Sequence, residues 1–425
     1  MVPKLIELAL RNRLVVLLLA GVLFAWGIYS IKQNPIDAIP DLSENQVIVF
    51  TEWMGRSPQV MEDQITYPLV SNLQGIPKIK NIRGTSMFGM SFVYVIFEDN
   101  VDVYWARTRV LERLNYAQRL LPQGITPSLG PDGTGVGHIF WYHLDAPKLD
   151  LGEQRALQDW YVKFALQTVQ GVAEVASFGG FEKQYQILLD PIKLQFYNVT
   201  LMDVMNKVKA NNNDVGGRKF EMSDMAYIIR GLGYIKNKED VENIALGQYN
   251  GIPVRVKDVG TLQMGGDLRL GIFDQNGEGE VVGGIVVMRY GENADKVIKA
   301  VKLKMKEVEK GLPEGITFKT SYDRSTLIEE AVASVTGTLK EELITVSVVI
   351  LVFLFHWRSA LVILIQLPIS VAIGFILLQT FGLSSNIMSL TGIALAIGVV
   401  VDDGIVMVEN SYRHICDEQI KRTSG

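Results

Sequence analysis

The stretch IKNIRGTSMFGMSFVYVIFED, residues 79–99, determines the fold of the first half of this chain. It contains two runs of β-branched and aromatic residues with a turn between Met87 and Met90, a pattern that predicts a β-hairpin. On both sides of this hairpin, apolar residues recur with helical or strand spacing. The spacing predicts helices at 57–76 and 101–122 and outer strands at 46–53 and 125–131. The order strand, helix, two strands, helix, strand is the βαββαβ pattern of a ferredoxin-like subdomain.

The same order recurs further along the chain, and two local echoes indicate a duplication. GIPKIKNIRG from Gly75 resembles GVAEVASFGG from Gly171, and LPQGIT from Leu121 resembles LPEGIT from Leu312. The echoes lie 46 residues apart in the first copy and 141 in the second, so about 95 residues are inserted into the second copy. We predict this insertion at 191–275, with helices and strands of its own.

Four apolar runs predict membrane-spanning helices. The first has 18 uncharged residues, close to the length that a hydrocarbon core of about 30 Å requires. Lys4, Arg11 and Arg13 precede it, so the positive-inside rule places the N-terminus, residues 1–13, in the cytoplasm. The predicted spans are 14–31, 343–357, 359–381 and 385–410. By parity, the long segment between the first and second spans is exported.

Composition excludes several classes of function. The net charge is −5, and no Lys/Arg-rich block alternates with aromatic residues, so a nucleic-acid partner is not supported. Cys416 is the single cysteine, which excludes a disulfide framework. The glycine-rich stretch GPDGTGVG, residues 130–137, lacks the spacing of a nucleotide-binding loop. No catalytic constellation emerges, so we expect a protein that is not an enzyme.

The stretch GVVVDDGIVMVEN, residues 398–410, places Asp402 and Asp403 in an otherwise apolar run. Ionisable residues in a membrane span are costly, and they typically line an ion or proton path inside the protein. Glu409 follows Asp402 by seven residues, almost two helical turns, so both can lie on one side of a helix. Adjacent carboxylates repel each other, which favours uptake and release of a proton near neutral pH. These residues predict a proton relay, with a structural ion pair as the alternative.

Motifs along the whole chain resemble the resistance-nodulation-division (RND) exporters, and specifically their heavy-metal-efflux branch, the CusA/CzcA type. The motifs that carry this resemblance are NPIDAIPDLSENQVIVFTEW (34–53), YPLVSNL (67–73), YWARTRVLERLN (104–115), LGPDGTGVG (129–137), LQDWYVKF (157–164), NGEGEVVGGIVVMRYG (276–291), SYDRS (321–325), NIMSLTGIALAIG (386–398) and VDDGIVMVEN (401–410). Members of that family are longer than this chain, so the resemblance covers their N-terminal portion.

The resemblance implies a multi-pass protein of the bacterial inner membrane with a large periplasmic domain, driven by the proton motive force and without a permanently bound cofactor. It implies a homotrimer in the lipid bilayer that docks to a periplasmic membrane-fusion adaptor and an outer-membrane channel. The parts that it assigns are a first pore subdomain at 32–135, a second at 136–190 and 276–330, a docking subdomain at 191–275 and a cytoplasmic end at 411–425.

The sequence around Asp402 and the positions of three methionines favour Cu(I) or Ag(I) as the transported ion. In the family, the zinc, cobalt and cadmium type has a further Asp where this chain has Ala396, and the copper/silver type has an Asp at the position of Asp402. Met388 and Met407 match transport-path methionines of the copper/silver type, and Met264 lies near a third such position. Thioether sulfur is a soft ligand that suits monovalent copper and silver.

Two other functions stay open at this point. Asp403 stands where the drug-exporting branch of the family also has an Asp, which leaves export of organic compounds as an alternative. The chain is also compatible with a truncated fragment that has no transport activity of its own.

Overall fold

The computed structural model describes residues 2–222, 225–269, 271–354 and 357–423. Residues 223–224 and 270 of the predicted insertion, 355–356 of the predicted second span and 424–425 of the predicted cytoplasmic end lie outside the described residues.

The chain divides into two compact units. The first contains residues 1–143, 162–176 and 284–425, and the second contains residues 144–161 and 177–283. The strands in chain order are β1 (Gln46–Glu52), β2 (Ile79–Met87), β3 (Met90–Phe97), β4 (Ser128–Leu129), β5 (Gly133–Asp145), β6 (Val172–Phe178), β7 (Lys183–Leu189), β8 (Val215–Met222), β9 (Met225–Gly231), β10 (Ala245–Tyr249), β11 (Ile252–Arg255), β12 (Gly260–Gly266), β13 (Gly283–Arg289) and β14 (Thr317–Asp323).

The helices follow the same numbering. They are α1 (Val2–Arg11), α2 (Arg13–Gln33), α3 (Pro58–Met61), α4 (Tyr67–Leu73), α5 (Val103–Ala117), α6 (Leu151–Leu157), α7 (Lys163–Gln167), α8 (Pro191–Tyr197), α9 (Leu201–Asn211), α10 (Lys238–Glu242), α11 (Val256–Val259), α12 (Ala294–Glu309), α13 (Arg324–Leu354), α14 (Trp357–Thr380) and α15 (Ile387–Thr423). A π-helical turn, Glu62–Thr66, joins α3 to α4.

The first sheet of the first unit has the strand order β2-β3-β1-β4, with antiparallel neighbours. Alternate residues of β1 and β3, among them Val49 and Val93, turn one face of this sheet into the core. Ile65 and Leu69 of the first helical segment and Val110 of α5 pack in the same core. The period-two burial and the helical spacing follow from the sequence pattern, and the predicted βαββαβ order is confirmed.

The second sheet of this unit repeats the order, as β14-β5-β13-β6. Its strands occupy the same places in the repeat as the strands of the first sheet, so the duplication read from the echoes is confirmed in the sheet topology. The fold is therefore mixed α+β, as expected. All residues of β13 from Gly283 to Met288 are buried, which explains why its sequence is an almost continuous apolar run instead of an alternating one.

The described residues of the second unit form three two-stranded sheets, β7-β12, β8-β9 and β10-β11. Its core is formed by Val204 of α9, Val254 of β11 and Val256 of α11, together with neighbouring aliphatic residues. Residues 183–190 belong to the predicted second pore subdomain, and β7, which lies in this range, forms its hydrogen-bonded ladder with β12 of the predicted insertion. The subdomain boundaries stay a prediction. A local pattern identifies a strand but carries no information on its partner.

The described residues contain two helices that are long and apolar enough to cross a membrane, Arg13–Gln33 and Ile387–Ser411, and a shorter apolar helix at Ile365–Thr380. The number of four spans stays a prediction. Helix α2 packs closely on α14, since a Cβ atom built on Gly27 would lie 2.7 Å from the Cα atom of Ala372 and would overlap its side chain. Small residues allow this close approach of two apolar helices.

Candidate functional site

Helix α15 carries most of the predicted site residues, and one of its faces is packed. Ile393, Ile397, Val401 and Ile405 recur every four residues, and they belong to one apolar cluster with Leu367 and Val371 of α14. With 3.6 residues per turn, successive residues advance by about 100°, so these four positions span an arc of about 120°. This arc is the face with which α15 joins the described helical bundle.

The predicted site residues of α15 share the opposite face. At about 100° per residue they fall within an arc of about 160° that does not overlap the packed one. They are Met388, Asp402, Asp403, Met407 and Glu409, and each is exposed. Apolar side chains on the same face, such as Leu395 and Val399, are 78% and 62% exposed. The structure thus brings the acids and two of the three candidate methionines to one uncovered side of α15.

The acids differ in what they contact. The Glu409 carboxylate forms an ion pair of 3.2 Å with Arg413, one turn further along the helix. Asp402 and Asp403 form neither an ion pair nor a hydrogen bond with any part of the chain that the structure describes. The structural alternative for the acid pair, a basic partner in a neighbouring helix, therefore finds no support in these ranges.

The candidate metal ligands do not form a single site. Met388 and Met407 are 19 positions apart in α15, which is about 28 Å along a helix axis. Met264 lies in the second unit, on β12 opposite Tyr185 of β7, with 53% of its surface exposed. Within the described ranges no group of three or more His, Cys, Asp or Glu residues is placed to hold a metal ion. The roles of these methionines stay predictions.

A polar junction holds the N-terminal end of α15 to the segment that follows α2. The Asn34 side chain donates a hydrogen bond of 2.8 Å to the Ser385 hydroxyl, and both residues are buried. The backbone N–H of Asp37 donates to the Ser385 carbonyl at 3.1 Å, and the Ser385 N–H donates to the Pro35 carbonyl at 2.9 Å. The N–H of Ile387, the first residue of α15, donates to the Ala38 carbonyl at 3.3 Å. Movement of this end of α15 must therefore move residues 35–38.

The same segment is tied to the βαββαβ repeats by an ion pair with a buried arginine. Arg324, the first residue of α13, is 3% exposed, and its Nε atom lies 3.1 Å from the Asp37 carboxylate. Its Nη1 atom donates a hydrogen bond to the carbonyl of Val136 in β5 of the second sheet. Burial raises the pKa of Asp37, and the Arg324 guanidinium opposes that rise. Arg324 thus joins the helical bundle, through Asp37, to a central strand of the second sheet.

A second ion pair fixes the start of α13. The Asp323 carboxylate pairs with Lys302 of α12, and it accepts hydrogen bonds from the Ser325 N–H at 2.9 Å and from the Ser325 hydroxyl at 2.7 Å. Burial acts to raise the pKa of Asp323, but the hydrogen bonds from Lys302 and Ser325 outweigh it, so the pKa lies below its ordinary value.

Sequence reasoning missed this junction, although its residues stood in the quoted motifs. Asp37 lies in NPIDAIPDL and Arg324 in SYDRS, one just after an apolar helix and one just before another. Opposite charges at two helix ends are a usable signal for a pair. The residues are too distant in sequence for that signal to select them over other charges, and only the folded chain brings them together.

Comparison with known proteins gives the chain its family. The model of the AcrB/AcrD/AcrF family matches residues 5–424. The chain therefore belongs to the AcrB/AcrD/AcrF family of RND transporters, which confirms the resemblance and shows a transporter family and not an enzyme.

Individual relatives place the chain within the heavy-metal branch. It is 47% identical to the cation efflux system protein CusA of Escherichia coli, over 98% of this chain and 40% of that protein. It is 36% identical to the cobalt-zinc-cadmium resistance protein CzcA of Cupriavidus metallidurans, over 99% of this chain and 40% of that protein. A crystal structure of a heavy metal efflux pump matches with a TM-score of 0.86 and 34% identity, over 96% of this chain and 41% of that one. The chain spans about 40% of the length of the curated relatives that it matches.

Proposed function

We propose that this chain is part of the inner-membrane component of a proton-driven pump that exports Cu(I) or Ag(I). The observation that carries the proposal is the uncovered face of α15, on which two adjacent carboxylates interrupt an apolar surface, in a chain 47% identical to a cation efflux system protein. Acids in such a setting serve ion or proton paths.

The choice of ion rests on two independent arguments. Identity is 47% to CusA and 36% to a relative named for cobalt, zinc and cadmium resistance. The predicted thioether ligands Met388 and Met407 suit soft monovalent ions, whereas zinc and cobalt sites use imidazole, carboxylate or thiolate ligands. The metal is the transported substrate and not a resident cofactor.

Asp402 and Asp403 are the proton carriers in this proposal. Protonation removes charge from the uncovered face of α15, and release restores it, so the two charge states favour different positions of the helix. The N-terminal end of α15 then moves residues 35–38, and the Asp37–Arg324 pair passes this movement to Val136 in the second sheet.

The partners follow from the family. The pump acts as a homotrimer docked to a periplasmic membrane-fusion adaptor and an outer-membrane channel. In support, β8 and β9 of the predicted docking insertion form a hairpin with exposed apolar residues, among them Phe220, Tyr227 and Ile228. Exposed apolar surface of this kind is typical of association surfaces.

The test is silver and zinc accumulation in bacteria that lack their own metal pumps and express the complete reading frame. We expect the wild type to lower cellular silver and to leave zinc unchanged, and the Asp402→Asn/Asp403→Asn variant to lower neither, at equal protein levels in the membrane. A matched control is Glu309→Gln, which removes a carboxylate at the end of α12, outside the bundle. An active double Asn variant contradicts the proton relay.

A second function is favoured by one residue. Asp403 matches the drug-exporting branch of the family, so the same strains are tested for resistance to dyes and detergents. Resistance to these compounds, together with unchanged silver accumulation, favours export of organic compounds over export of metal.

A further inference from the structure

Three side chains form a row across the first sheet at its hairpin end. The register pairs Met87 of β2 with Met90 of β3, and Met90 in turn with Glu52 of β1. Directly opposite residues in antiparallel strands point to the same face, with Cβ atoms about 4.5–5.5 Å apart. Two thioethers and a carboxylate are therefore neighbours on one side of the sheet.

This side is the one turned away from the core. Thr51 and Ser91, the adjacent residues in β1 and β3, are 1% and 0% exposed, so the residues that alternate with them point outward. Met87 is 52% exposed and Met90 is half-buried. The predicted hairpin turn between the two methionines is confirmed, but the turn itself does not require sulfur at either position.

A third thioether reaches the same corner. Met54 follows Glu52 by two residues, and its Sδ atom lies 3.1 Å from the point where a Cβ atom on Gly89 would stand. The Trp53 N–H donates to the Gly89 carbonyl at 2.8 Å, and the Gly89 N–H donates to the Arg56 carbonyl at 2.9 Å, so backbone bonds hold the Met54 segment against the hairpin. Gly89 has φ +69°, and its missing side chain leaves the space in which the Met54 sulfur lies.

The charges around this corner suit a cation. Glu52 supplies a carboxylate beside Met90. Arg56 is a positively charged residue near this corner, and its guanidinium is engaged with the Trp53 ring, whose centroid lies 4.6 Å from the Arg56 Cζ atom. Hard divalent ions require several oxygen ligands, whereas thioethers select Cu(I) and Ag(I).

We propose that Met54, Met87 and Met90 form a binding site for Cu(I) or Ag(I) on the outer face of the first sheet, with Glu52 balancing the charge of the ion. The site is separate from the methionines of α15 and from Met264. It deepens the proposed function, on which it rests for the class of ion, because it gives the exported domain a place that takes up the metal before transport.

The test is calorimetric titration of the purified complete protein with Ag(I) alone. We expect the Met54→Leu/Met87→Leu/Met90→Leu variant to bind one silver ion fewer than the wild type, with an unchanged circular dichroism spectrum. The matched control is Met222→Leu/Met225→Leu, which removes two exposed methionines that pair directly across β8 and β9. Silver binding by the triple variant equal to that of the wild type overturns the proposal, as does an equal loss in the control.

A second variant keeps all three sulfur atoms. Gly89→Ala displaces the Met54 sulfur, and we expect silver affinity at this site to fall by about 10-fold to 100-fold, the range found when the supports of metal ligands are removed. Unchanged affinity overturns the role of Met54. Because binding is measured without transport, a pump that does not lower cellular silver contradicts the proposed function, whereas an unchanged stoichiometry contradicts only this site.

Discussion

Two pairs of charged residues in or next to the helices of this chain have opposite surroundings. Arg324 is buried and Asp37 is partly buried, and they pair with each other at 3.1 Å. Asp402 and Asp403 are exposed on α15, and they contact no charged group in the ranges that the structure describes. The opposite charges of the first pair neutralise each other within the chain, and the pair holds two distant segments together. The second pair has no partner in those ranges, and its role as a proton relay stays a prediction.

The largest expected effect comes from breaking the Asp37–Arg324 pair. Arg324→Ala leaves the partly buried Asp37 carboxylate without its partner, and we expect the free energy of unfolding to fall by about 3 kcal/mol, at the lower end of the range for buried pairs. The measurement is the thermal or denaturant midpoint of the purified protein. The control Arg413→Ala removes an exposed partner of Glu409 and should cost about 0–1 kcal/mol. Similar losses in the two variants contradict the distinction between architectural and exposed charges.

The double variant Asp37→Leu/Arg324→Met sharpens the same comparison. It removes both charges together, so no unpaired ion remains, and stability should lie closer to that of the wild type than to that of Arg324→Ala. If the pair also carries movement from α15 to the sheets, the double variant folds but exports silver poorly. A stable double variant with full transport would limit the pair to a structural role.

The next effect concerns the packing that holds the two charge sets in place. Gly27→Leu forces a side chain into α14 at Ala372, and overpacking of this kind costs about 1–3 kcal/mol. Gly21→Leu is the matched control, since a Cβ atom there meets nothing within 4 Å. The yield of folded protein and its thermal midpoint measure both. Equal behaviour of the two variants would contradict the close contact between α2 and α14.

A smaller effect is expected at the start of α13, and it depends on pH. The pKa of Asp323 lies below its ordinary value of 3.8, so the carboxylate stabilises the fold above that pH and loses this contribution as the pH falls through the lowered pKa. Lys302→Ala removes the half-exposed partner and should cost about 1 kcal/mol at pH 7. The difference between the variant and the wild type should shrink as the pH falls through the lowered pKa, and it should vanish once Asp323 is protonated. A constant difference at every pH contradicts this origin.

The smallest effect is expected at Glu409. Its carboxylate pairs with Arg413 on the helix surface, and such pairs contribute about 0.3–0.5 kcal/mol. Glu409→Gln should leave stability almost unchanged and should keep silver transport, in contrast to Asp402→Asn/Asp403→Asn. A loss of transport as complete as that of the double Asn variant would add Glu409 to the proton relay.

Local patterns were sufficient for much of the fold. The hairpin at residues 79–99, the two repeats and the apolar spans could be read directly, because strands, helices and turns depend on periods of a few residues. The pairing of β7 with β12 could not be read, since a strand pattern is compatible with many partners. The Asp37–Arg324 pair and the position of the Met54 sulfur near Gly89 could not be predicted either, because local patterns do not show which distant residues meet.

The sequence by itself determined which residues interrupt apolar helices and which strands recur, and these features depend only on neighbours along the chain. It therefore identified Asp402, Asp403 and the βαββαβ repeats. The tertiary structure alone decided which charges neutralise each other and which are left uncovered, because the free energy of a charge depends on burial and on partners that are distant in sequence. The packed face of α15 turns Asp402 and Asp403 away from the bundle, and the close approach of distant segments places Asp37 beside the buried Arg324.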